Sequence, residues 1–193
     1  VDWCLMLHNL FMSPFYGRYK VENHKELTSA LAKTAEDVED YYGWNQHCNV
    51  QVKMIQDFEF ALPYLKPYLF QFSDELGVKL DYAFVDSAWI SCYNKGGFQE
   101  VHQHANSDIS VVYCMNSGID FAKFYFIDRH SNDFSDAWIR KVFPTELRDT
   151  YFPEVEEGDL LIFPSHLLHG VSVHKSDTVR KTFAFNMNIH SVH

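Results

Sequence analysis

At 193 residues, 47% hydrophobic and 17% aromatic, the chain carries enough apolar material for one substantial core and is short for two. Its 16 Lys and Arg against 26 Asp and Glu leave a formal charge of -10, which repels phosphate backbones and anionic lipid and so argues against nucleic acid or membrane surfaces as partners. The cysteines, Cys4, Cys48, Cys92 and Cys114, are scattered and form no C-x-x-C pair, so a reduced, cytoplasmic setting is expected. No apolar run approaches the roughly 20 residues of a membrane helix. The opening VDWCLMLHNLF also lacks the basic start and cleavage site of a secretory signal, so a soluble protein is expected.

In chain order, Leu27, Leu31, Val38 and Tyr41 recur at helical spacing and predict a helix over 24–41, with Asn23 and Glu26 as a capping box. Phe58, Leu62, Leu65, Leu69, Phe72 and Leu76 predict a second helix. It starts near Pro63 or kinks at Pro67, and stops at Gly77. From residue 79 the period changes to β-rich runs: KLDYAFVDSAWISCY, FQEVHQH, DISVVYCM, IDFAKFYFI, TYFPEV, DLLIFP, HGVSVH and RKTFAFNMNI. Eight strands after two helices predict a mainly β fold with N-terminal helices, a jelly roll being the common case. Gly96-Gly97 reads as a hairpin turn. The polar segment from Arg129 to Asp149 is long for a connection and reads as a cover over a site.

Chemistry concentrates in FQEVHQHANSD, residues 98 to 108. Along a strand, His102 and His104 fall on one face together with Phe98 and Glu100, and two imidazoles on one face can reach one ion. A third ligand must come from a neighbouring strand, where His169 stands directly before Gly170. Arg180 opens a strand on which Thr182, Ala184 and Asn186 share its face. A guanidinium entering a barrel calls for an anion, and with a hydroxyl two residues on it makes a bidentate carboxylate receptor. Trp89 and Tyr113 read as core or pocket wall, and Asn186 as a strand-end cap. His166, His174, His190 and His193 are assigned to loops, surface or tail without a role.

Together these residues resemble the iron(II)- and 2-oxoglutarate-dependent oxygenases, whose double-stranded β-helix carries His-x-Asp/Glu, a distal His and a later Arg. CYNKGGFQEVHQH is similar to the prolyl-hydroxylase pattern of a Tyr, a Gly three residues on and the metal-binding His, which maps a 2-oxoglutarate contact onto Tyr93. More similar still is a group of small 2-oxoglutarate/iron oxygenases of bacteria and their viruses. They share WxxxY, His-x-His with a Ser/Asn-rich turn, GDLLIFPSHLLHGV and RxxFxFN, over roughly residues 80 to 187 and more weakly in LFMSPFYG.

The resemblance implies a cupin-like double-stranded β-helix and one oxygenase domain over 1–193, with helical support at about 20–78 and a core at about 79–190. It implies Fe(II) on His102, His104 and His169, and 2-oxoglutarate on Arg180 with Thr182 or Tyr93. O2 would then oxidise 2-oxoglutarate to succinate and CO2 while a C-H bond of a small-molecule or peptidyl substrate is hydroxylated. A homodimer stays open.

The departure from the pattern is His104, where a carboxylate is usual; three imidazoles leave the metal its full double charge. Glu100 and Asp108 are the alternative carboxylates. Such an N-rich site also accepts nickel, zinc or copper. Two other readings are a three-histidine cupin-type dioxygenase that does not use 2-oxoglutarate and a non-catalytic metal-binding barrel.

Overall fold

The computed structural model describes residues 14–44, 48–77, 83–129 and 149–189. The expected covering segment therefore falls, at 130–148, outside the described residues, as do Cys4, His190 and His193. Chain order runs β1 (Gly17–Lys20), α1 (His24–Glu36), β2 (Asp40–Tyr41), β3 (Cys48–Asn49), β4 (Gln51–Met54), a 3-10 turn (Glu59–Ala61) and α2 (Leu62–Leu76). It continues through β5 (Ala83–Tyr93), β6 (Phe98–His102), β7 (Ile109–Cys114), β8 (Phe124–Ile127), β9 (Thr150–Tyr151), β10 (Asp159–Pro164), β11 (Leu168–Val171) and β12 (Arg180–Ile189).

The strands form two antiparallel sheets. One has the order β1-β10-β7-β12-β5-β4-β2 and the other β3-β6-β11-β8-β9. Consecutive strands alternate between the sheets over much of the β region, which is the jelly-roll winding of a double-stranded β-helix. Among the described residues no helix is long and apolar enough to cross a membrane.

Alternation along each strand makes two separate apolar layers. Ile90, Val111, Leu160, Ile162, Phe183 and Phe185 point out of the larger sheet and pack beneath Leu27 and Leu31 of α1 and Leu65, Leu69 and Phe72 of α2. Each of these large side chains contributes about 1.5–3 kcal/mol on burial. The opposite parity, including Trp89, Tyr93, Leu161, Phe163 and Ala184, points between the sheets towards Phe124 and Val171. The space between the sheets is where polar side chains collect.

α2 starts with Pro63 in its first turn, where the missing N–H costs nothing, and carries Pro67 inside. It stops at Gly77, which takes the left-handed conformation (φ 66°). α1 ends at Glu36, five residues before the predicted end. Val38 still packs on the helical layer, so the apolar spacing continues past the last turn, while Asp40 and Tyr41 pair with Lys53 and Val52 as strand. The capping box does not form: Asn23 sits at φ -97°, ψ 41°, outside the extended region a capping residue needs, and makes no side-chain cap bond.

The Gly96-Gly97 turn is not a hairpin. Its flanking strands β5 and β6 lie in different sheets, so the turn carries the chain across the sandwich. A Cβ at Gly97 would stand 2.7 Å from the Asn94 carbonyl oxygen, so this crossing accepts no side chain. His174 closes the same corner. Its backbone N–H donates to the Gly97 carbonyl at 2.7 Å and its carbonyl accepts from Gly96 N–H at 2.8 Å.

The His174 ring, assigned no role from sequence, is fully buried. Nδ1 accepts the Ala122 N–H (3.0 Å) and Nε2 faces the Thr178 carbonyl (2.8 Å), which can only accept, so the ring is neutral with its proton on Nε2. His174→Ala strands two buried backbone groups and is expected to cost about 3 kcal/mol, read from the urea-denaturation midpoint.

Candidate metal centre and co-substrate pocket

The two sheets bring three histidines together at one end of the space between them. In register, His169 of β11 lies opposite His102 of β6, with ring centroids 4.3 Å apart. His104 stands just past the end of β6, its ring 5.1 Å from His102 and 5.2 Å from His169. One ligand nitrogen from each lies within 4.8 Å of the others, and no other group of three potential metal ligands occurs among the described residues.

Local structure aims each ring. Nδ1 of His102 lies 2.7 Å from the Glu100 carbonyl and Nδ1 of His169 lies 2.8 Å from the Leu167 carbonyl. Carbonyls only accept, so both rings carry their proton on Nδ1 and turn an unprotonated Nε2 into the cluster. His104 is anchored through its backbone, whose N–H donates to the Ser165 carbonyl at 2.9 Å. Gly170 lets β11 pass close to its neighbours; a Cβ there would meet the Tyr125 hydroxyl at 2.7 Å.

Electrostatics favour the neutral imidazoles that a metal requires. Burial, followed by the charge of His102, holds His169 down at about 3, and the same two causes hold His104 at about 4. Burial also lowers His102, against the opposing hydrogen bond to Glu100. At neutral pH all three rings present lone pairs. Phe124 stacks on His169 at 5.5 Å and Phe163 meets it edge-on at 5.0 Å, which shields the cluster from water.

Neither alternative carboxylate joins the cluster. His169 pairs with His102 but Val171 pairs with Gln99, so two steps on β11 match three on β6. The extra residue is a β-bulge. It turns the exposed Glu100 and Val101 away and brings Gln99, not Glu100, to the cavity. Asp108 is engaged elsewhere, its carboxylate accepting the Ile189 N–H at 2.8 Å.

A narrow cavity opens beside the histidines, with about 30 Å³ of internal room. Arg180, Thr182, Ala184 and Asn186 all face it, as their shared parity predicts, opposite Tyr93, Ser91, Trp89 and Ser87 on β5. Arg180 is 5% exposed, its guanidinium lies over the Tyr93 ring at 5.0 Å, and its Nη1 is buried without a hydrogen-bond partner. An orphaned guanidinium N–H at a cavity wall fits an anionic ligand. Tyr93 donates its hydroxyl to Gln99 Oε1 at 2.9 Å, and burial raises its phenol against the lowering effect of Arg180.

Trp89 is a cavity wall and Tyr113 a core residue, as expected. Asn186 is no strand-end cap: it lies within β12, where Oδ1 accepts from Ser110 Oγ at 2.9 Å, and Ser110 Oγ in turn meets Ser165 Oγ at 2.8 Å. Gln99, Ser110 and Ser165 are not legible in the sequence: the bulge hides Gln99 from any period-2 reading, and serines on strands carry no signal of their own.

Solved structures share this fold. A search of curated proteins returns no match. An oxidoreductase of the 2OG-Fe(II) oxygenase family from Burkholderia pseudomallei shares the fold at a TM-score of 0.62 and 14% identity, over 84% of this chain and 78% of that one. A Pseudomonas putida prolyl-4-hydroxylase superposes at 0.61 with 14% identity, covering 93% and 95% of the two chains. HygX from Streptomyces hygroscopicus, solved with nickel, 2-oxoglutarate and hygromycin B, superposes at 0.62 with 9% identity over 91% and 83%. The family model described as "Putative 2OG-Fe(II) oxygenase" matches residues 87–186, which run from β5 through Asn186 and make up just over half of the chain. That span includes all three histidines, the guanidinium and the strands that aim them, and the protein belongs to the 2OG-Fe(II) oxygenases, oxidoreductases that use iron(II), 2-oxoglutarate and O2.

Proposed function

We propose that His102, His104 and His169 hold the iron and that Arg180 binds the far carboxylate of 2-oxoglutarate, the chain acting as a hydroxylase on a C-H bond of a small-molecule or peptidyl substrate. The observation that carries this reading is the buried Arg180 Nη1 without a partner, on the wall of the same cavity as the three neutral imidazoles. Iron(II) with 2-oxoglutarate supplies the activation of O2, with release of succinate and CO2.

The chain's own contribution is placement. The Leu167 and Glu100 carbonyls keep the Nδ1 protons of His169 and His102, so neither ring can turn its lone pair away without losing a hydrogen bond. Arg180 offers a planar pair of N–H donors that matches a carboxylate, with the Thr182 hydroxyl on the same strand face. Tyr93 fixes the guanidinium from below, and its hydroxyl, which donates to Gln99 Oε1, borders the co-substrate pocket. Phe124, Phe163 and Trp89 exclude water from the walls, which strengthens each of these contacts. The prolyl-4-hydroxylase and the hygromycin-bound HygX with similar folds span the two substrate classes.

Anaerobic titration of the Fe(II)-loaded chain with 2-oxoglutarate is the direct test. A visible metal-to-ligand charge-transfer band is expected; saturable 2-oxoglutarate binding without that band removes the assignment of the three histidines.

A further inference from the structure

The rings that touch the three histidines differ in one chemical respect. His169 is packed by Phe124 and Phe163, side chains too difficult to oxidise to pass an electron. His104 is packed by Trp89, with centroids 5.7 Å apart. Behind Trp89, Trp44 stands edge-on at 5.4 Å, and Tyr41 stands edge-on to Trp44 at 6.1 Å. All three spacings are those of rings in contact. Trp89 is 5% exposed and Tyr41 is 43% exposed, so a series of readily oxidised rings runs unbroken from the histidine cluster to solvent.

The molecule contains its own comparison. Tyr151 is 42% exposed and contacts Tyr16 at 5.8 Å, Tyr16 contacts Phe126 at 5.5 Å, Phe126 contacts Phe163 at 5.1 Å and Phe163 contacts His169 at 5.0 Å. This second series has the same length scale and the same surface exposure at its end. Two phenylalanines interrupt it.

We propose that Trp89, Trp44 and Tyr41 form an electron relay that drains oxidising equivalents from the iron site to the surface when no primary substrate is bound; this rests on the reading that His104 lies at the iron. In such turnover 2-oxoglutarate and O2 yield succinate, CO2 and one oxygen atom at the oxidation level above water. Each transfer removes one electron from Tyr41, whose phenolic proton leaves to solvent, and passes it through Trp44 and Trp89. Two electrons and two protons reduce the oxygen atom to water. The sum is 2-oxoglutarate + O2 + 2 electrons + 2 protons giving succinate + CO2 + water. A soluble enediol reductant of the ascorbate class returns an electron and a proton to the exposed tyrosyl radical.

The test uses the Fe(II)-loaded full chain with 2-oxoglutarate and air, without substrate or ascorbate, followed by peptide mass spectrometry. Oxidation is expected at Tyr41 and Trp44, several-fold above Tyr151. In Trp89→Phe both modifications are lost and the protein inactivates after fewer turnovers. In Trp44→Phe, a change behind the cavity wall, Trp89 is oxidised and Tyr41 is spared. Equal oxidation of Tyr41 and Tyr151, or unchanged Tyr41 oxidation in both variants, overturns the relay. Succinate formed with Tyr41 and Trp44 intact overturns the relay alone; no succinate from the wild type removes the iron-site reading beneath it.

Discussion

Arg180→Met lowers the affinity for 2-oxoglutarate by at least about 100-fold and leaves Fe(II) binding nearly unchanged. Hydrogen bonds to charged groups contribute about 1.5–3 kcal/mol each, and a guanidinium gives a carboxylate two of them, so the loss corresponds to two or more powers of ten. Methionine keeps most of the volume against Tyr93, which separates lost recognition from a collapsed wall. The same variant makes a second, opposite expectation for stability. Nη1 of Arg180 is buried without a partner, so the guanidinium weakens the protein until an anion arrives. Thermal denaturation of Arg180→Met without 2-oxoglutarate should match or exceed the wild type, and added 2-oxoglutarate should raise the melting temperature of the wild type alone. Wild-type rates of succinate formation by the variant at low 2-oxoglutarate would count against the assignment.

His104→Ala weakens Fe(II) binding by more than about 100-fold, because changes to groups that merely orient a ligand already cost 10–100-fold. His104→Asp restores most of that affinity, since a carboxylate at this place supplies an oxygen ligand and cancels one of the metal's two charges. Glu100→Gln has almost no effect, because the bulge in β6 turns Glu100 outwards. Competition against a calibrated chelator measures all three under anaerobic conditions. A strong loss in Glu100→Gln with a weak one in His104→Ala would reverse the ligand assignment.

Much of the fold was legible because the β-rich half obeys a simple period. All eight predicted strands form, and the interior parity of Arg180, Thr182 and Ala184 follows from alternation alone. What stayed hidden has specific causes. β1 to β4 span only two to four residues each, too few for any period to register, so an N-terminal region with the spacing of helices also supplies both edges of the larger sheet and one edge of the smaller. Tyr41 shows the same difficulty: its spacing fits a helix face, but its backbone pairs with Val52.

In the site, the two histidines of FQEVHQH reach the interior as expected, though by a different route. His102 ends the strand and His104 belongs to the following loop, fastened to Ser165. His174 was passed over because a histidine in a loop normally faces water; two backbone partners separated by 56 residues in sequence from one another close around it, and no local pattern announces them. Glycine pairs, likewise, signal a turn without saying whether the chain returns to the same sheet.

The bulge in β6 means that the charge around the three histidines is written in the conformation of the backbone as much as in the choice of side chains. Were β6 to alternate regularly with its present residues, Glu100 and not Gln99 would share the face of His102. A single-residue deletion at Val101 restores two-against-two pairing and keeps Gln99 on the face of His102, whereas straightening β6 with all its residues in place would bring the Glu100 carboxylate to the cavity with no new acidic residue in the gene. Descent and redesign of this enzyme thus have two independent handles on the same electrostatic quantity, and changes that straighten β6 without removing a residue belong in any library meant to alter its chemistry.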